Sequence, residues 1–238
     1  MHIIWTIAKK ELRAYFNSPL AYIFINVFLV IMSWLFFQSY FQEGQADMRA
    51  FFGLIPWVFL FFIPAITMRL WAEEKKLGTV EFLLTLPVKD HEAVLGKFLA
   101  SLLLLAIVLL LSWSLPILVA YTGPVDWGVI VASYVGALFL GAAYLALGIW
   151  LSAFTDNQII AFIVTVVACF FFFMISQTFV LQSIPAVFTP FFRFLGLSSH
   201  FDSIMRGVFD SRDLIYYLSF IGFFLFLNVR SIMGRRFQ

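Results

Sequence analysis

The residues best suited to chemistry lie in one short stretch. Glu73-Glu74-Lys75-Lys76 is followed by Gly78-Thr79, by Val80-Glu81-Phe82-Leu83-Leu84, and by Pro87, with Lys97 further on. Carboxylates and ammonium groups so placed can pair with one another. Covalent catalysis needs a nucleophile with a base in reach, and this stretch offers none. Its pattern is instead that of a built docking element. Gly78 breaks the preceding helix, Thr79 is a good N-cap, and Glu81 suits the first turn of a new helix. Val80, Leu83 and Leu84 form an apolar stripe with Phe82 beside it. Pro87 ends the helix, and Asp90 is placed to cap the next one. A short helix with an apolar face suits insertion into a groove on another protein.

The other reactive side chains are scattered. His2, His91 and His200 are far apart, without cysteines or carboxylates at ligand spacing, so no metal site is expected. Cys169 is the only cysteine and lies in an apolar run, which excludes a disulfide within one chain and any CxxC motif. Ser101, Ser112, Ser114 and Ser133 have no base at matching depth and read as packing residues. Gly96-Lys97 is not a phosphate loop, because His91 stands where the first glycine is required and Phe98 where Ser or Thr would meet magnesium. The chain is not expected to hydrolyse ATP. Any active transport must draw its energy from a partner.

Apolar helices must position these residues. Of the 238 residues 63% are hydrophobic and only 12% charged, more apolar surface than a soluble fold can bury. The 32 Phe suit lipid-facing and helix-packing positions alike. Six uncharged runs read as spans: 20–41, 51–68, 98–121, 127–151, 159–179 and 214–229. The absence of charge within them disfavours an ion-driven carrier, though sodium sites made of carbonyls alone stay open. The first run is too long for a cleaved signal peptide. Before it, Ile4–Asn17 reads as an amphipathic interfacial helix, with Ile4, Ala8, Leu12 and Tyr15 on one face and Thr6, Lys10, Arg13 and Asn17 opposite. Eleven of the 15 Lys and Arg fall on the side holding both termini and residues 69–97, so that side is expected to be cytoplasmic. Residues 180–212, apolar but broken by Pro185 and Pro190, read as an outer re-entrant or interfacial hairpin.

The stretch from Glu73 to Val88, continued by Gly96-Lys97, resembles the permease subunits of ABC-2 type transporters. The six-span plan and the opening Ala8-Lys9-Lys10-Glu11-Leu12 helix are similar too. Ser198-Ser199-His200-Phe201, Arg206-Gly207-Val208 and Asp213-Leu214 match only loosely. Among such permeases the chain resembles the short ones of gliding-motility and copper-maturation systems. The resemblance implies one all-α membrane domain over residues 1–238. It also implies a coupling helix at Val80–Leu86 that enters a cleft on a separate ATPase, and an interfacial connecting helix at Ile4–Asn17. Glu73 and Glu74 would pair with cationic groups, Lys97 among them. The implied partners are an ABC ATPase dimer that binds ATP and Mg, a second permease copy or related permease, an outer auxiliary subunit, and lipids of a bacterial inner membrane. No nucleic acid is implied. Transport would run outward. The alternatives are a passive channel or scaffold, which has no need of an apolar cytoplasmic docking helix, and an intramembrane enzyme, which lacks its catalytic groups.

Overall fold

The computed structural model describes residues 2–43, 47–79, 88–208 and 210–233. Among them every regular element is helical. Helix α1 (His2–Asn17) is followed across Ser18-Pro19 by α2 (Leu20–Glu43). Proline disfavours helix at the residue before it, which separates the two. Then come α3 (Arg49–Thr67), α4 (Ala72–Lys76), α5 (Asp90–Leu111), α6 (Ser114–Ala120), α7 (Trp127–Ser152) and α8 (Gln158–Met174). Three short helices, α9 (Thr178–Gln182), α10 (Thr189–Leu195) and α11 (Leu197–Met205), precede α12 (Ser211–Met233).

Helix α7 is the centre. It packs against α3, α5, α8, α11 and α12, and Leu140, Tyr144 and Leu147 are buried along it. Its small residues let neighbours come close. A Cβ at Gly141 would lie 2.3 Å from Leu105 Cδ2 of α5, so a larger residue there would displace that side chain from its place against α7. The outward faces stay apolar: Val30 and Trp34 on α2, Ile163 and Val167 on α8, Leu218 and Phe223 on α12 are all exposed. Large apolar faces of this kind, left on the outside of a packed bundle, are what lipid covers.

Five helical stretches are long and apolar enough to cross a membrane: Leu20–Phe41, Arg49–Lys76, Asp90–Ala120, Trp127–Ser152 and Ser211–Met233. The third bends between α5 and α6. Pro116 would clash with the carbonyl of Ser112 in a continuous helix, and in the first turn of α6 its missing N–H is not needed. The run expected as a fifth span over 159–179 is a shorter apolar helix. Helix α8 has 17 residues, ~25 Å at 1.5 Å per residue, against a hydrocarbon core of ~30 Å. Just past its end the Gln177 amide donates to Ser198 Oγ of α11 at 3.2 Å. A Cβ at Gly196 would lie 2.2 Å from that of Ser176, so the joint between α10 and α11 sits directly on this turn. The segment 180–212, expected as a hairpin, holds the end of α9, all of α10 and α11, and the start of α12.

Candidate functional site at a helix junction

Lys97 lies in the third turn of α5, and only 1% of its side chain is exposed. A buried ammonium is tolerated only when its donors are taken and its charge is met. Its Nζ lies 2.7 Å from Glu74 Oε1, 3.2 Å from Glu11 Oε1 and 2.9 Å from the Leu70 carbonyl oxygen. Those three bonds use all three donors. The ring of Trp71, itself buried, has its centroid 4.7 Å from Nζ, within cation–π range. One side chain therefore ties together α1, the joint between α3 and α4, and α5.

Local sequence explains how each partner arrives. Glu11 is one turn from Ala8 and from Tyr15, the two buried residues of α1, so it shares their inward face. That face sits flush on α5 because Gly96 has no side chain. A Cβ there would lie 2.6 Å from Ile7 Cγ2 and 3.2 Å from the Ile4 carbonyl oxygen. Tyr15 donates to the Ile66 carbonyl at 2.9 Å, at the end of α3. Burial pushes its hydroxyl well above the ordinary tyrosine range, with the nearby Arg69 charge acting against the rise. The Arg69 guanidinium lies over the Tyr15 ring at 5.1 Å and pairs through Nε with Glu73 at 3.1 Å, one turn ahead. Helix α4 is also fastened to the end of α7. Ser152 Oγ accepts from the backbone N–H groups of Trp71 and Ala72 at 3.2 and 3.3 Å and donates to the Met68 carbonyl at 3.3 Å. These N–H groups open a helix and have no partner within it. The Lys75 ammonium donates to the Ala153 carbonyl.

The chain leaves α4 at Gly78, the residue expected to break it. Gly78 takes the left-handed conformation, φ 68°, which suits glycine at a helix end. The Thr79 hydroxyl donates back to the Glu74 carbonyl at 3.2 Å. Val80, Glu81, Phe82, Leu83, Leu84 and Pro87 lie outside the described residues. Beyond them Lys89 and not Asp90 occupies the N-cap position of α5, and the Glu92 carboxylate accepts the Lys89 backbone N–H at 3.0 Å. Asp90 is the first residue of the helix and is buried. The two stems that flank residues 80–87 are thus clamped to each other by the Lys97–Glu74 ion pair.

Glu73, Glu74 and Lys97 were legible as charges that pair. The second carboxylate on Lys97, from Glu11, was not assigned a role in the sequence, nor were Trp71 and Ser152. For Glu11 a signal exists: a carboxylate on the apolar face of an amphipathic helix needs a cation. No such signal marks Ser152. Among the described residues this junction holds no nucleophile beside a base, and what it can do is hold and transmit position.

The bundle is that of a multi-pass α-helical membrane protein, with a heavily paired buried charge, Lys97, at the base of a helix-flanked segment. The chain belongs to the ABC-2 family of transporter proteins, whose family model, described as "ABC-2 family transporter protein", matches residues 5–229. It is accordingly a permease component of an ABC transporter, a class that works with an ABC ATPase partner. No curated protein matches the chain.

Proposed function

We propose that this chain is the membrane-spanning permease of an ATP-driven exporter, and that residues 80–87 carry the stroke of a separate ATPase to the bundle. The observation that supports this most is the Lys97 junction. A force applied to residues 80–87 is delivered through α4 and α5 together, because Glu74 and Lys97 join their stems. It reaches α1 through Glu11, α3 through Leu70 and Trp71, and α7 through Ser152. A passive pore has no use for such a rigid base.

In this reading the partner is an ATPase dimer that binds ATP and Mg, with two permease copies, or this one and a related permease, around one pathway. An outer auxiliary subunit and membrane lipids complete the assembly. Residues 69–97 and both termini face the cytoplasm of a bacterium, and the protein sits in its inner membrane; this orientation takes an even number of crossings, so the 17-residue apolar α8 makes the sixth beside the five longer stretches. The coupling residues are Glu73, Glu74, Gly78, Thr79, Val80, Glu81, Phe82, Leu83, Leu84, Pro87 and Lys97. The test is reconstitution of the purified permease–ATPase complex in vesicles, with ATP hydrolysis followed in wild type and in Glu74→Gln. Coupling through the junction requires that the variant still bind the ATPase while the permease-dependent part of hydrolysis falls. Unchanged hydrolysis in a complex of unchanged composition would overturn it.

A further inference from the structure

Helix α1 carries four charged residues close together, Lys9, Lys10, Glu11 and Arg13, and the fold divides them by sign. Glu11, the only carboxylate of the helix, turns inward to Lys97 at 3.2 Å, and its side chain is 14% exposed. Lys9, Lys10 and Arg13 are all exposed. Lys10 has Glu11 at 3.8 Å, and among the described residues no hydrogen bond or ion pair takes Lys9 or Arg13. The outward face of α1 therefore carries positive charge alone, because the one anion that would offset it is held by a buried lysine.

The neighbours of this face point to lipid. Helix α1 packs on the first turns of α5 at Gly96 and leads across Ser18-Pro19 into α2. It lies level with the ends of two helices long and apolar enough to span a membrane. Trp5, Lys9 and Arg13 follow one another at one-turn spacing, and Phe16 is one turn beyond Arg13. Trp5 is 58% exposed. Phe16 meets the ring of Tyr22 edge-on at 5.9 Å. Tyr22 opens the outer face of α2, which continues through Ile23, Val27 and Val30, all exposed. The aromatic edge of α1 thus runs into the apolar outer face of α2, with Lys9 and Arg13 along its border. Tryptophan and tyrosine settle at the boundary of headgroup and hydrocarbon, and lysine and arginine stems reach from there to the phosphates.

We infer that this face of α1 docks on anionic phospholipid, with Lys9, Lys10 and Arg13 at the headgroups and Trp5 and Tyr22 at the boundary beneath them. Long exposed side chains recognise charge and not shape, so the surface selects lipids by net charge without distinguishing one anionic headgroup from another. A zwitterionic lipid brings a phosphate already matched by its own ammonium, whereas an anionic leaflet brings charge that is not offset. Bound lipid also holds α1 on α5, because Glu11, on the opposite side of the same helix, is anchored to Lys97.

The experiment uses the full-length chain purified in detergent. Native mass spectrometry follows the lipid retained from equimolar mixtures of phosphatidylglycerol or phosphatidylserine with phosphatidylcholine. Wild type should prefer both anionic lipids to the choline lipid, to the same extent, and lose most of the preference in ~1 M salt, where charges are screened beyond about 3 Å. Each lysine or arginine near an anionic surface contributes about fivefold to binding. Lys9→Gln or Arg13→Gln should therefore lower the preference about fivefold, and the double variant should lower it further. Arg13→Lys keeps the charge and should keep the preference, and Arg212→Gln, on α12, should leave it unchanged. Equal unfolding temperatures in the choline lipid alone separate lost lipid contact from lost fold. Phosphatidylglycerol should protect α1 from protease in wild type and not in the double variant. If the double variant does not fold, the salt dependence of wild type and the two single variants decide. A double variant that keeps the wild-type lipid preference but no longer pulls down the ATPase would assign the face to that protein and overturn the inference. Equal retention of anionic and choline lipids by wild type, or loss of the preference in Arg13→Lys, would overturn it as well.

Discussion

The ammonium of Lys97 lies 2.7 Å from the carboxylate of Glu74, across 23 positions of sequence, and closes the base of the loop between them. Glu11 adds a second carboxylate at 3.2 Å, and the side chains of Glu11 and Glu74 are 14% and 18% exposed. Lys97→Met removes the buried charge that holds both. Breaking a buried pair in this way costs about 3–5 kcal/mol, and residual water contact of the carboxylates places this case at the lower end. Helix α1 should loosen while the spans stay inserted. Limited proteolysis of α1 in membranes checks this; a variant as resistant as wild type would refute it.

Gly96 is the contact point of α1 on α5. Gly96→Val places a branched side chain where Ile7 Cγ2 would be 2.6 Å from its Cβ. Overpacking of this kind costs ~1–3 kcal/mol. The expected result is a lower unfolding temperature and the same loosening of α1 predicted for Lys97→Met, with normal membrane levels. Partial recovery by Ile7→Ala in the double variant would locate the clash.

Tyr15 is buried and neutral, and donates to the Ile66 carbonyl. Its pKa in the folded chain is raised, chiefly by burial. The neutral form is therefore favoured by folding. The stability it contributes is whole below the unfolded pKa of ~10 and is lost as pH rises above it. Tyr15→Phe should cost ~1 kcal/mol at neutral pH. Its unfolding temperature should then fall less steeply than that of wild type above pH ~10. Parallel pH profiles would exclude Tyr15 as the group responsible.

Within the proposed coupling segment, Leu83→Asp removes an apolar contact worth ~1.5–3 kcal/mol and puts a charge into a desolvated groove. Pull-down of the ATPase at matched expression should drop by at least tenfold, and transport should stop. Thr79→Ala should cost ~1 kcal/mol of helix stability and give a milder defect. Normal binding and transport in Leu83→Asp would move the passive-channel reading ahead.

The charge bias also sets an orientation to be measured. With Cys169 replaced by Ala, single cysteines at positions 80 and 236 should label only from the cytoplasm, and those at 45, 124 and 190 only from outside. Outside-only labelling at 80 or 236 would invert the topology.

How much of this protein its sequence determined differs between features. Apolar run length and helical period are local properties, read within one or two turns. They were enough for α2, α3, α7 and α12, and for the inward face of α1 at Ala8 and Tyr15. The likeness of Glu73 to Val88 to ABC-2 permeases named the family that matches residues 5–229. Hydropathy could not see that α8 stops at Met174, because the run stays apolar beyond it, nor that Gln177 meets Ser198 on a different helix. Nor could it join Lys97 to Glu11 across 86 positions, or seat Trp71 and Ala72 on Ser152. Those contacts depend on where whole helices come to rest. That is settled by packing around α7 and by the close approach that Gly96 and Gly141 allow. A charge in a sequence announces that it needs a partner, and only the tertiary structure decides which one.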